Sequence, residues 1–215
     1  MNFLSHYFVR SRPNDSLFNL GLILPDLFRG SIRQFELTLP GQNSLLEGCL
    51  AHIKDDKQFH ASLFFEQGTE ACLHELKQAP GLEEVERKWF LAHILFEMLM
   101  DRLLVRHLPG LCLRFYADLE SADKLEVHAF LKAHHVSDNE VLLRRLELFT
   151  RAAYIRNYTD NNLFGYSLTR VMMRVGLPEL GFKQRADLQA CVNRLEQTWF
   201  KEVQTRIFEL KQVTA

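Results

Sequence analysis

The stretch Trp89-Phe90-Leu91-Ala92-His93-Ile94-Leu95-Phe96-Glu97-Met98-Leu99-Met100-Asp101 decides the fold. Its apolar residues are nearly continuous over a length that suits a helix rather than a strand, so it reads as a helix buried around most of its surface. One imidazole and two carboxylates interrupt it at positions i, i+4 and i+8: His93, Glu97 and Asp101. Carboxylates among so many apolar neighbours are costly unless paired or bound to a cation.

Outward from this stretch, apolar residues keep recurring at three and four, and two-residue alternation is absent. Helices are expected at about 2–10, 15–28, 43–78, 82–107, 111–119, 122–134, 138–157, 161–175 and 183–213. Capping boxes Ser44-x-x-Glu47 and Ser137-x-x-Glu140 precede two of them, and Pro40-Gly41, Pro80-Gly81 and Pro109-Gly110 punctuate the chain. No Gly-, Ser- or Pro-rich linker divides it, so residues 1–215 are expected to form a single compact all-α domain.

Composition narrows the function. With 26 Lys and Arg against 27 Asp and Glu, the net charge is −1, which argues against a nucleic-acid binder. The average conceals asymmetry: residues 47–86 carry a net −6, whereas residues 144–174, with six Arg, carry +4 and suit an anionic partner. Four scattered Cys lack any Cys-x-x-Cys pairing, so neither a disulfide framework nor a thiolate metal site is expected. The N-terminus lacks the basic and long apolar regions of a signal peptide, and no apolar run reaches the ~20 residues of a membrane span, so a cytoplasmic location is expected. P-loop, Rossmann and nucleophile-elbow patterns are absent.

A second triplet, His52, Asp56 and His60, repeats the i, i+4, i+8 spacing, which brings side chains to one helix face. The segments Leu50-Ala51-His52-Ile53 and Leu91-Ala92-His93-Ile94 echo one another. Imidazole and carboxylate are the ligand types of Mn, Fe, Mg and Zn sites. His6, on a short apolar N-terminal helix, and Asp26, beside Pro25, are further candidates. Each residue also has a plainer reading. His52 and Asp56 suit a surface ion pair beside Lys54, Asp55 and Lys57. His93 and Glu97 suit a core pair, Asp101 a partner of Arg102 or Arg106, and Asp26 a turn residue. His74, His107 and His128 lack partners at ligand spacing, and His134-His135 ends a helix.

Several segments, in order along the chain, resemble the bacterial acyl carrier protein phosphodiesterase family, a divergent branch of the HD-type metal phosphohydrolases. They are Met1-Asn2-Phe3-Leu4-x-His6, Gly21-x-x-x-x-Asp26-Leu27-x-Arg29-Gly30, Gly48-x-x-x-His52-x-x-x-Asp56, Phe96-Glu97, Ile155-Arg156-x-Tyr158-x-Asp160 and Leu168-x-x-x-Met172-x-x-Arg174. Departures fall at Leu22, Pro25, Ile53-Lys54 and Glu97-Met98. The resemblance implies an HD-domain-like all-α fold and a divalent metal, Mn²⁺ by family expectation, with Mg²⁺, Fe²⁺ or Zn²⁺ as alternatives. It also implies hydrolysis of 4'-phosphopantetheine from holo-acyl carrier protein, a small acidic partner.

On that reading the expected metal ligands are His6, Asp26, His52, Asp56, His93 and Glu97, with Asp101 a further candidate. His60, one turn beyond Asp56, is the expected proton donor to the leaving serine, and Asp56 serves chemistry as well as metal. Arg29 and Arg156 are the expected phosphate contacts. Three alternatives stand beside it. One is an HD-type hydrolase of another phosphodiester or nucleotide. Another is a di-iron bundle, although Glu-x-x-His is missing near both triplets. The last is a non-enzymatic helical interaction module.

Overall fold

The computed structural model describes residues 1–28, 43–134 and 138–214. Among them the chain is all α, without a strand. The helices are α1 (Phe3–Arg10), α2 (Ser16–Gly21), α3 (Leu24–Leu27), α4 (Ser44–His60), α5 (Leu63–Lys77), α6 (Lys88–His107), α7 (Pro109–Ser121), α8 (Lys124–Ala133), α9 (Asn139–Ala152), α10 (Asn161–Arg174), α11 (Phe182–Thr198) and α12 (Phe200–Thr214). Short 3-10 turns occupy Pro80–Leu82 and Tyr154–Thr159.

Several expected helices divide, each at a local device. The 43–78 stretch breaks at Ala61, because the Ser62 hydroxyl accepts from the Phe65 N–H and starts α5 anew. The 138–157 stretch ends at Ala152, because Ala153 adopts φ +44° and the chain tightens into the 3-10 turn. The 15–28 stretch becomes α2 and α3, and the 183–213 stretch breaks at Trp199. Helix α4 is capped by Asn43, whose carboxamide oxygen accepts from Leu45 and Leu46, one residue before the expected Ser44. Pro40-Gly41 and Ser137 lie outside the described residues. All four Cys are buried and free. No helix among the described residues is long and apolar enough to cross a membrane.

Helix α6 runs through the core, touching α1, α5, α7, α10, α12 and the 154–159 turn. Its buried face includes Leu91, Leu95, Met98, Leu104 and two charged residues, Asp101 and Arg102, both 0% exposed. Arg102 donates to the Glu196 carboxylate (2.7 Å), the Tyr158 carbonyl (2.5 Å) and the Asn161 side chain (2.5 Å), tying α6 to α11 and to the 154–159 turn. Asp101 pairs with neither Arg102 nor Arg106. It accepts from the Leu4 N–H (3.1 Å), the Ser5 N–H (2.8 Å) and the Ser5 hydroxyl (2.7 Å). It thus caps the first turn of α1 from another helix, where free N–H groups and the helix dipole favour a carboxylate. Burial pushes the Asp101 carboxyl up to about 7, against the pull of these donors. At the other end of α1, Arg10 forms a two-pronged ion pair with Asp55 of α4 (2.7 and 2.8 Å). Helix α1 is therefore pinned at both ends.

Helices α2 and α4 meet main chain to main chain. A Cβ on Gly21 would come within 2.9 Å of the Gly48 Cα, and one on Gly48 within 2.9 Å of the Gly21 Cα. Only glycine permits this approach, which brings the Leu22 carbonyl beside α4.

Asp101→Ala would leave the Leu4 and Ser5 N–H groups buried without partners. It is expected to lower the unfolding free energy by about 2–4 kcal/mol in urea titrations. A loss below about 0.5 kcal/mol would show that this cap does not hold α1 in place.

Candidate metal and proton site

Residues from α1, α3, α4 and α6 converge on one polar cluster. Among the described residues, two groups have metal-type ligand atoms within 4.8 Å of one another: His6, His52 and Asp56, and His60, His93 and Glu97. Both sequence triplets thus contribute, and the two echoed histidines, His52 and His93, fall in different groups. Asp101 does not join. A residue eight positions along a helix lies about 80° around it, which turns Asp101 from the cluster toward α1.

In the first group, the glycine contact between α2 and α4 lets the His52 Nδ1–H donate to the Leu22 carbonyl at 2.8 Å. A carbonyl only accepts, so in the neutral ring Nε2 carries a lone pair. That atom faces the Asp26 Oδ1 at 3.7 Å. The His6 ring, fully buried and stacked on His52 with centroids 3.9 Å apart, has no partner at hydrogen-bond distance on either nitrogen among the described residues. Its Nε2 lies 3.8 Å from the Asp56 Oδ1. Burial, reinforced by His52, holds His6 well below the usual imidazole range, so the ring is neutral.

In the second group the contacts are shorter. His60 Nδ1–H donates to the Asp56 Oδ2 (3.1 Å), and His60 Nε2 lies 3.0 Å from the Glu97 Oε1 and 3.1 Å from the His93 Nε2. His93 Nε2 is 3.2 Å from the same Glu97 oxygen. Burial works against a charged His60, but the hydrogen bonds with Asp56 and Glu97 prevail and raise it to about 9. The Met1 α-ammonium lies between the groups, 2.9 Å from the Asp56 Oδ1 and 3.2 Å from the Glu97 Oε1. Burial alone would raise both carboxyls. The His6 and His60 rings and the ammonium hold Asp56 well below the usual range, while the ammonium, His60 and His93 do the same for Glu97.

The two groups differ in what binds them together. Protons account for the short contacts around His60. Around His6 and His52, imidazole nitrogens face carboxylate oxygens at 3.7 and 3.8 Å, too far for a direct hydrogen bond. Ligand atoms about 2.0–2.2 Å from one ion stand roughly 3–4 Å apart, so this donor set fits a divalent cation. The buried, unpartnered His6 ring is the observation that favours one. The Leu22 carbonyl behind His52 is the outer partner that orients a metal-ligating imidazole.

The remaining expectations divide. Arg29 lies outside the described residues. Arg156 is exposed, with its guanidinium 5.2 Å from the Tyr116 ring centroid, and lines neither cavity beside the cluster. His74, His107 and His128 are exposed and take no part. His134 caps the C-terminus of α8, and His135 lies outside the described residues. Sequence spacing missed the inner cavity of about 90 Å³, where Asn2, Tyr158 and Arg174 join Asp26 and Glu97. The signal available was the placement of Tyr158 and Arg174 in the late motifs.

Mn²⁺ should raise the melting temperature of the protein, and Asp56→Ala should abolish that shift and the bound metal seen by elemental analysis. Equal metal content in the variant would remove Asp56 from the ligands. In chelated protein, His60 has a folded value of about 9, above its unfolded value of about 6.5. Its stabilising contribution is complete below about pH 6.5 and is lost as the pH rises through about 9. Urea unfolding from pH 6 to 10 should therefore show a decline that His60→Gln reduces; identical pH profiles would exclude this role.

Comparison with known protein families, curated proteins and solved structures gives no match.

Proposed function

We propose that this chain is a metal-dependent phosphodiesterase of HD-type character, hydrolysing 4'-phosphopantetheine from holo-acyl carrier protein. The observation that carries the hydrolytic part is the juxtaposition, on one cluster, of an imidazole–carboxylate set spaced for a cation and a proton-bearing histidine. The choice of substrate rests on the resemblance of the motifs that supply His6, Asp26, His52 and Asp56, and on the Arg-rich 144–174 segment. A divalent cation, when bound, supplies Lewis acidity toward a phosphoryl oxygen and a nucleophile at neutral pH.

His6, His52, Asp56 and Asp26 would hold the cation, with His52 oriented by the Leu22 carbonyl. His60 is the general acid. Asp56 and Glu97 fix its ring from opposite edges and keep it protonated, and His93 braces Glu97. Water adds to phosphorus, losing one proton to solvent, as the bond to the serine oxygen breaks; His60 gives its proton to that oxygen and regains one from solvent. The products are apo-carrier with a free serine and 4'-phosphopantetheine carrying the water oxygen.

Mass spectrometry of holo-acyl carrier protein incubated with the protein and Mn²⁺ should show conversion to the apo form. Asp56→Ala should abolish it, and His60→Ala should lower kcat by about 10²–10⁴. An unchanged carrier with the Mn²⁺-loaded protein would reject this substrate. Retained turnover of a chromogenic phosphodiester would then assign the chain to the wider HD-type class.

A further inference from the structure

Two residues of the late motifs, given no role by their spacing, meet in the inner cavity. We propose that the Tyr158 hydroxyl and the Arg174 guanidinium together bind the phosphoryl oxygens of the substrate, beside Asp26. This deepens the hydrolase reading above and rests on it.

Tyr158 is fully buried, yet its hydroxyl has no hydrogen-bond partner among the described residues. A buried hydroxyl left unpaired costs about 1–3 kcal/mol, so one that lines a cavity is a ready partner for a ligand oxygen, with the Asn2 and Tyr154 side chains as its polar neighbours. The residue lines the inner cavity with Asp26, Glu97 and Arg174. Its place is fixed from behind, because buried Arg102 of α6 donates to the Tyr158 carbonyl. Burial also keeps the phenol protonated, so it offers a donor.

Arg174, at the end of α10, is exposed and forms no ion pair among the described residues. It lines the inner cavity and also an outer cavity of about 510 Å³, in which Arg145, Leu148 and Tyr154 take part. Asp26, Tyr154 and Arg174 are common to both, so Asp26 stands where the inner cavity meets an outer one lined by two arginines. The phenol can donate and the guanidinium supplies hydrogen bonds and positive charge, which suits a phosphodiester or its phosphate-monoester product. Leu148, Phe149 and Ala152 beside the outer arginines suit an uncharged arm attached to that phosphate.

Calorimetric binding of 4'-phosphopantetheine to the Mn²⁺-loaded protein tests this without turnover. Tyr158→Phe and Arg174→Met should each weaken binding at least about tenfold. Arg206→Ala, on α12 and outside both cavities, should bind as the parent does. Tyr158→Phe should unfold at the same or higher urea concentration than the parent, because the hydroxyl it removes has no partner; a purely structural hydroxyl would give a loss. Undiminished binding in both variants, or a Tyr158→Phe protein less stable than the parent, would overturn the subsite. Absence of binding by the parent would overturn it too. Binding that depends on Tyr158 and Arg174, without turnover of any diester, would keep the subsite and reject the hydrolase.

Discussion

The carboxylate of Asp101, sealed inside the core, grips the first turn of α1 through two backbone N–H groups and a serine hydroxyl. The site depends on this contact. It sets the height of α1 against α6, and the Arg10–Asp55 pair then sets its direction against α4. With both fixed, His6 lies over His52 and faces Asp56, although no hydrogen bond holds its ring. A buried charge that stabilises little in net terms can still define one arrangement among several, and here it defines which residue of an eight-residue helix faces the cluster.

The cluster holds more negative charge than positive. Three carboxylates, Asp26, Asp56 and Glu97, meet two cations, the Met1 ammonium and a protonated His60. Burial raises the Asp26 carboxyl, whereas the positive neighbours of Asp56 and Glu97 hold those two low. A cation added at His6 and His52 thus enters a field already negative at Asp26 and Asp56. The same field keeps a proton on His60, so the attraction for a cation and the retention of that proton share one source.

The helical plan was legible because its signal, a three-to-four periodicity, repeats over many residues. The breaks were less so, since each rests on one residue: the Ser62 hydroxyl, the positive φ of Ala153, Asn43 in place of Ser44. Spacing also found both triplets, but it groups residues by one helix face. It separated neither His52 from His60, which face different partners, nor Asp101 from Glu97, which point to different helices. Tyr158 and Arg174 come from a 3-10 turn and a helix end, where no period exists to reveal a shared direction. Among arginines, sequence favoured Arg156, whose guanidinium lies near Tyr116 instead.

At the crossing of Gly21 and Gly48 no side chain stands between the two helices. The position of the His52 ring is therefore referenced to main chain, through the Leu22 carbonyl, and not to the packing of any residue in the core. Drift in the surrounding leucines and phenylalanines can accumulate without moving this imidazole, as long as both glycines stay. A single added methyl at either one shifts it at once. Tolerance to variation and precision at the ligand are thus set by separate parts of the chain.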